Sequence, residues 1–451
     1  MKIDEALLRE LTASYEGIGS PKRLLLALSG GADSVALFYL LCHLATERSL
    51  ELRCVHVHHG LRAAAEDEAD FVSALCEKAG VPLTIKRVKV EHIGSLEASA
   101  RMARYNALCA AMQEADIDVI ALAHHADDQA ETVLMHLMHG AGPSGLAGMR
   151  AYYQGIWRPL LATPKSSLVT LLEDNDLSWR EDESNQDPRH LRNAIRHSVM
   201  PMLQTLSPAT SMNIVRTTQI LRDEEDFWRI YVTRWLEQFA CLEGPYIFMM
   251  TGYCSDLPLA AQRRVLRGFC TAIGIELDFQ QTQRLCQLLK SPPGSTENLP
   301  SQAQALRTRE RMFLLKQPFS KLPLGRLIHV EDTSQTDALQ EVFDADQLQG
   351  AELRYRQTGD WLSPLGAGGS QKLRKYMIDR QIDRPLRDSW PLLCRGEEVL
   401  WVIGVGITQT AAVNADTRMR VVMRYEGKLP GDLTMHHQGE ENHARKFETV
   451  S

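Results

Sequence analysis

The sequence predicts an α/β protein: a parallel, doubly wound sheet in its first part, then a helical domain and a small α+β unit at the C-terminal end. Three observations predict it. Short apolar runs alternate with helix-length segments over the first 130 residues. After Pro159-Leu160-Leu161 the pattern turns helical, and Ile214, Leu221, Trp228 and Trp235 recur every seven residues on one helical face. Beyond residue 342, a basic, helix-like stretch is followed by a strand-like run. The expected boundaries are 1–205 for the sheet domain, 206–330 for the mainly helical middle, 342–428 for the α+β unit and 430–451 for a polar, disordered tail.

Each element has a local reason. Residues 1–17 read as an amphipathic helix with acidic residues, without the apolar core of a signal peptide. Residues 24–28 are a buried-strand run that ends in Ser29-Gly30-Gly31, and 35–45 is a helix-length apolar stretch. Residues 52–57 form a second strand bounded by His58-His59-Gly60. A helix over 66–79 stops at Gly80, the residue 83–90 run alternates as a strand does, 96–115 is helical, and 119–123 is again a short buried strand. Such βαβα alternation implies a parallel sheet covered on both faces, with its binding edge at the carboxyl ends of the strands. Ser291-Pro292-Pro293-Gly294-Ser295 marks a turn or linker, and short β-type runs follow over 306–330. In the last unit 371–380 reads as a basic helix and 399–407 as a strand.

Composition narrows the function classes. The 451 residues carry 50 Lys+Arg against 57 Asp+Glu, a net charge of −7, so binding of nucleic acid by bulk charge is excluded and only a confined basic track is compatible. No run reaches the about 20 apolar residues that a membrane-spanning helix needs. The nine cysteines, at 42, 54, 76, 109, 241, 254, 270, 286 and 394, include no CxxC pair. A disulfide framework or cysteine–metal site is therefore not expected, and the expected compartment is the cytoplasm.

The strongest local signal is Ser29-Gly30-Gly31-Ala32-Asp33-Ser34, between a buried strand and a helix. Paired glycines let backbone N–H groups converge on phosphate at a helix N-terminus. Ser29 and Ser34 add hydroxyls. A carboxylate among phosphates is repulsive unless a divalent cation stands between them, so Asp33 is the candidate Mg²⁺ ligand, directly or through water. The chain has no Walker A pattern. Gly140-Ala141-Gly142-Pro143-Ser144-Gly145 matches G-x-G-x-x-G but follows a helix, so it reads as a glycine-rich loop near the site and not as a dinucleotide fingerprint.

Further clusters follow: His56-Val57-His58-His59-Gly60-Leu61-Arg62; Glu97-Ala98 with Ala100-Arg101 and Arg104-Tyr105; Ala123-His124-His125-Ala126-Asp127-Asp128-Gln129-Ala130-Glu131-Thr132; Gly145-Leu146-Ala147-Gly148-Met149; Arg158-Pro159-Leu160-Leu161; and Glu181-Asp182-Glu183-Ser184-Asn185-Gln186-Asp187 ahead of Arg192-Asn193 and Ile195-Arg196. The phosphate loop resembles the PP-loop of the ATP pyrophosphatases, whose fold is the adenine nucleotide alpha hydrolase-like sheet. The whole set, strong over residues 20–200 and recognisable again over 356–408, resembles the tRNA(Ile)-lysidine synthetases.

The resemblance implies an ATP-dependent ligase that adenylates the position-2 carbonyl oxygen of the wobble cytidine in the CAU anticodon of tRNA(Ile). The ε-amine of free L-lysine then displaces AMP. ATP and Mg²⁺ are the implied cofactors, and a homodimer is compatible with the sequence. Residues 29–34 would hold ATP. Asp128 and Glu131, three apart at a helix start, share a face and could hold the lysine ammonium and help remove its proton. Arg104, Arg192 and Arg196 could neutralise phosphate or grip the tRNA backbone. Lys372, Arg374, Lys375 and Arg380, with Arg384 and Arg387 beyond them, are the expected tRNA contacts, and Arg356 with Gly359-Asp360 fits the same family pattern.

Other readings compete. The absence of CxxC counts against a tRNA thiolase, and no catalytic N-terminal cysteine supports an amidotransferase-coupled ligase. The intact Asp33, Asp128 and Glu131 count against a non-catalytic RNA-binding protein. His56, His58, His59, His124 and His125 could build a metal-dependent hydrolase, but neither histidine cluster has the HExxH spacing of a helical zinc site.

Overall fold

In the first unit the run Arg23–Ala27 becomes β1, inside a six-stranded sheet. Its side chains alternate between two cores. Leu24, Leu26 and Leu28 pack with Val35, Phe38, Leu41 and Trp157 on one face. Leu25 and Ala27 pack with Val55, Leu108, Ala111 and Ile120 on the other. Burial on both faces is why the run is apolar without interruption. The computed structural model describes residues 4–58, 64–88, 96–180, 191–316, 322–330 and 338–430. It divides into two compact units, Met1–Phe227 and Trp228–Ser451. Residues 59–62, residues 181–187 and the tail from 431 on, all singled out above, lie outside the described residues, as do the side chains of Glu97, Ala98 and Ala100.

Helix α1 (Glu5–Gly17) is capped by Asp4, whose Oδ1 accepts from Ala6 N–H at 2.8 Å, and buries Leu7, Leu11 and Tyr15. Then come α2 (Ala32–Arg48), β2 (Glu51–His58), α3 (Ala64–Ala79), β3 (Leu83–Arg87), α4 (Leu96–Glu114), β4 (Ile120–Ala121) and α5 (Ala126–Met138). A short helix α6 (Pro143–Leu146) and the hairpin β5 (Tyr152–Tyr153) and β6 (Ile156–Trp157) precede α7 (Lys165–Glu173). The strand order is β3-β2-β1-β4-β6-β5, parallel except for the β5–β6 hairpin. β4 is shorter than the expected 119–123 strand, although Leu25 N–H to Val119 O (3.0 Å) and Leu122 N–H to Trp157 O (2.8 Å) extend its pairing. The chain runs outward from β1 through β2 to β3, then returns to β4 on the other side of β1. That reversal opens a crevice at the carboxyl ends of β1 and β4, where ligands bind in open α/β sheets.

Beyond α7 lie α8 (Leu191–Ala194), a π-helical turn (Ile195–Val199), α9 (Met200–Leu206) and the long α10 (Thr210–Phe239). The heptad on α10 has two uses. Ile214 packs on Ala130, Ile195 and Met200 in the first unit, and Trp235 enters the core of the second.

The second unit contains the helices Leu259–Thr271 and Phe279–Lys290 and a five-stranded antiparallel sheet built from residues 240–316. Its C-terminal part adds a three-stranded antiparallel sheet (Arg326–His329, Arg420–Glu426, Gln340–Asp344) and a mixed sheet around Leu392–Arg395 and Glu398–Val402. The expected 371–380 helix is shorter. Gln371–Lys372 pairs as a strand with Trp361–Leu362, and the helix runs Leu373–Asp379. Extended Lys372 and the Leu373 N–H to Asp360 O bond (3.0 Å) hold the chain in the sheet up to that point. Among the described residues no helix is long and apolar enough to cross a membrane, and all nine cysteines are free thiols. Burial pushes the Cys42, Cys254, Cys270 and Cys394 thiols up to about 12, so they are protonated packing groups.

Candidate active site

The loop after β1 is tied together from within. Ser34 Oγ accepts the N–H groups of Ser29 (3.2 Å) and Gly30 (3.1 Å), donates to Gly31 O (2.9 Å) and lies 3.0 Å from Ser29 Oγ. Gly30 sits at φ +93°, where an L side chain is strained, and a Cβ there would meet Val72 Cγ2 at 3.4 Å. Gly31 caps α2, and Asp33 lies in its first turn. Asp33 Oδ1 is buried with no hydrogen-bond partner, and Oδ2 is 3.4 Å from His125 Nε2. An orphaned buried carboxylate oxygen beside an anion-binding loop fits a divalent cation.

The loop after β4 supplies the opposite wall. His125 caps α5: its Nδ1 accepts Asp127 N–H (3.2 Å), while its own N–H donates to Asp128 Oδ2 (3.1 Å). With Nδ1 accepting, the neutral ring carries its proton on Nε2, which is 3.4 Å from both Asp33 Oδ2 and Asp128 Oδ2. Burial pushes the His125 pKa down, but Asp33, Asp128 and Asp127 outweigh it and the net direction is up. Its neighbour His124 is depressed to about 3, first by burial. Asp127 is structural: Oδ1 accepts from Ser211 Oγ (2.6 Å) and Oδ2 from Lys165 N–H (3.2 Å).

Asp128 and Glu131 do share a face of α5, and both are met by one guanidinium. Arg196, on the π-helical turn, donates from Nε to Glu131 Oε1 (2.6 Å) and from Nη2 to Glu131 Oε2 (3.0 Å) and Asp128 Oδ1 (2.9 Å). Arg192 Nη2 donates to Thr132 Oγ1 (2.8 Å), and its Nε is 3.5 Å from Glu131 Oε2. Burial raises the Asp128 pKa, but His125, His124 and Arg196 outweigh it and the carboxyl lies below its usual range. For Glu131 burial wins over Arg196 and the pKa is raised. Arg104, exposed on α4, makes no hydrogen bond among the described residues, yet lies in electrostatic reach of Asp128, His124 and His56. The fold thus gathers Asp33, Asp128, Glu131, Arg192 and Arg196 at one crevice, with Arg104 acting through space.

Three supporting residues escape a reading by spacing. His125 links the two loops. Gln129, buried, clamps Met149 by Nε2 to O (3.1 Å) and N–H to Oε1 (2.8 Å), and Arg222 donates to Ala147 O and, at 2.6 Å, to Met149 O. The Gly145–Met149 segment is therefore pinned from two sides. The signal was present in the HHADDQAET run, but nothing in it says what the glutamine touches. Residues 140–142 lie in the turn from α5 into α6 and 143–145 in α6 itself, which Gly142 caps, and Gly145 O meets His136 Nδ1 at 2.7 Å. His59 lies outside the described residues; His56 Nδ1 bonds Leu28 O at 2.9 Å, and among the described residues no group of three or more His, Cys, Asp or Glu is placed to hold a metal ion.

In the second unit a cavity of about 1020 Å³ is lined by Arg356, Arg374, Arg384 and Arg387, with Asn298 and Gln304 among the polar groups. Of the expected tRNA contacts, Arg374 lines this cleft. Lys372 and Lys375 are exposed, Lys372 Nζ being 3.5 Å from Gly359 O, and Arg380 lies over the Tyr376 ring at 5.2 Å. Burial, then Arg356, holds the Arg387 guanidinium below its usual range; Arg374 and Arg384 add to this and Asp383 opposes it. Asp360 is structural: it receives Arg354 in a fork (2.8 and 3.0 Å) and caps Gln357 N–H (2.7 Å).

Two family models match the chain. Residues 3–203 match the PP-loop domain model and residues 351–423 the TilS substrate C-terminal domain model. The tRNA(Ile)-lysidine synthase of Geobacter sulfurreducens is 31% identical over 94% of this chain and 98% of its own. That of Pseudomonas fluorescens is 32% identical over 84% and 88%, and that of Caldanaerobacter subterraneus 28% over 93% and 97%. The chain belongs to the tRNA(Ile)-lysidine synthase family and is an ATP-using, tRNA-modifying ligase.

Proposed function

We infer that the crevice joins free L-lysine to the wobble cytidine of tRNA(Ile) with a CAU anticodon, with ATP split to AMP and pyrophosphate. One observation carries the reading: the phosphate loop and the paired carboxylates are joined through a single histidine, His125, at 3.4 Å on either side. Nucleotide activation and an amine nucleophile therefore meet at one place.

The steps follow from the groups present. The N–H groups of residues 29–34 and the N-terminus of α2 cradle the ATP phosphates. A Mg²⁺ held by Asp33 would offset the charge of the β- and γ-phosphates as they leave. The position-2 oxygen of cytidine attacks the α-phosphorus and pyrophosphate departs, with Arg104 and Arg192 countering the developing charge. Asp128 and Glu131 take the lysine ε-ammonium and accept its proton. The freed amine attacks carbon 2, and the carbon–oxygen bond to AMP breaks. The product, lysidine, pairs with A in place of G.

The arginine-lined cleft of the second unit supplies phosphate contacts to the tRNA, together with Lys372, Lys375 and Arg380. The reaction belongs to the cytoplasm, and sedimentation of the purified chain checks a homodimer.

The test is incorporation of labelled lysine into a tRNA(Ile) transcript with ATP and Mg²⁺. Labelling that needs ATP and spares elongator methionine tRNA is expected. Release of AMP and pyrophosphate with no lysine incorporated would demand another nucleophile.

A further inference from the structure

The two carboxylates assigned to the lysine ammonium are already holding a cation. Arg196 spans both, with three hydrogen bonds of 2.6 to 3.0 Å. The remaining Asp128 oxygen accepts His125 N–H, so neither carboxylate has a free side facing the guanidinium. Exposure is graded: the Glu131 side chain is 2% exposed, Asp128 14% and Arg196 27%. Of the three side chains, Arg196 is the most accessible from solvent and the carboxylate of Glu131 the least.

Charge gives the second argument. Asp128 and Glu131 face Arg192 and Arg196, two charges against two. A lysine ammonium at this pair would compete for carboxylate oxygens that Arg196 and the His125 N–H already occupy. One resident cation must leave, and Arg192 is anchored separately on Thr132 Oγ1 at 2.8 Å. Arg196 is carried by a π-helical turn, an irregular geometry often found at functional sites. It also lies in electrostatic reach of Asp33 beside the phosphate loop.

We propose that Arg196 is a resident stand-in for the substrate ammonium, which occupies the Asp128–Glu131 pair when lysine is absent and is displaced toward the phosphate side when lysine enters. The stand-in keeps two buried carboxylates ionised and the pocket closed to small cations. Its release places a guanidinium near the phosphates at the moment the nucleophile is bound. This rests on the reading that Asp128 and Glu131 receive the ammonium.

The experiment is calorimetric titration of L-lysine into the full chain and into Arg196→Met, Arg196→Ala and Arg196→Lys. A stand-in present nine-tenths of the time weakens apparent affinity about tenfold. Arg196→Met, which keeps an apolar stem, and Arg196→Ala should therefore bind lysine about tenfold more tightly while lysidine formation slows. Arg196→Lys should stay near the parent. Guanidinium ion at millimolar concentration should compete with lysine in Arg196→Ala and restore the weaker constant, which a merely structural role would not produce. Unchanged or weaker lysine binding in both Arg196→Met and Arg196→Ala would overturn the proposal and make Arg196 a direct or structural partner of lysine. Glu131→Gln and Asp128→Asn test the underlying reading separately. If neither alters lysine affinity, the ammonium site lies elsewhere and the stand-in falls with it.

Discussion

The two charged regions of this molecule handle their arginines in opposite ways. In the first unit Arg192 and Arg196 are matched against Asp128 and Glu131 at hydrogen-bond distance, and His125 faces Asp33. In the second, Arg356, Arg374, Arg384 and Arg387 line one cleft, where the one ion pair among the described residues is Arg356 Nε to Asp388 Oδ1 at 2.5 Å. A site for small-molecule chemistry must hold its charges in place before substrate arrives, so it carries its own counter-ions. A surface for a polyanion leaves its charge uncompensated, because the phosphates bring the counter-charge with them. The net charge of −7 is therefore no obstacle to tRNA binding: what matters is where the unmatched cations lie.

The sharpest break of this contrast is Asp33→Ala. Loss of the orphaned carboxylate should lower tRNA-dependent pyrophosphate release about 10³-fold, with tRNA affinity unchanged. Pyrophosphate release at the parent rate would remove Asp33 from the nucleotide site.

Next is Glu131→Gln, which removes a carboxylate charge that burial disfavours while keeping the side chain's shape, so stability read from denaturant unfolding should change little. Lysine transfer should fall more than adenylate formation; an equal loss of both would make Glu131 purely structural. Acid should separate the two carboxylates. Glu131 is raised, so its ionisation costs stability above its own pKa, and acidification relieves that cost. Asp128 is lowered, so it contributes stability above the ordinary aspartate range that is lost only as pH falls through its depressed pKa. Lysine affinity should therefore decline on acidification before the fold does. Simultaneous loss, measured by lysine titration beside circular dichroism, would refute that order.

The second region is tested by the double variant Arg374→Ala with Arg384→Ala. tRNA binding should weaken, and the slope of log affinity against log salt should shrink by about 1 for each arginine that meets a phosphate. ATP binding should be untouched. An unaltered salt slope would show that the cleft does not carry the RNA.

The smallest effect is expected at Gly148, at φ +63°, where a Cβ would lie 2.8 Å from the Gln129 amide. Gly148→Ala should cost about 1–3 kcal/mol through backbone strain and displacement of that clamp. A melting temperature equal to the parent's would mean that the clamp can shift freely.

Much of the site was legible because it is local. The strand–SGGADS–helix run states its own geometry, since paired glycines and a helix start are properties of neighbouring residues. The three-residue spacing of Asp128 and Glu131 puts them on one face wherever the helix goes. The uninterrupted apolar run of β1 announces a strand buried on both faces.

What the chain could not state alone is which charge meets which. Arg196 reaches Glu131 across 65 residues. Ser34, one of the two hydroxyls expected at the phosphate, turns inward to hold the loop. Asp360 is taken by Arg354, six residues before it, and Lys372 is drawn out of its expected helix into a strand. The arginine cleft combines residues from 356 to 387 that no single helix face could collect. Periodicity and turn chemistry act over a few residues, so the sequence by itself determined the elements and the motifs they carry. Coulomb pairing and burial depend on distances that exist only after the elements pack, so the tertiary structure alone decided which ions are matched and which are not.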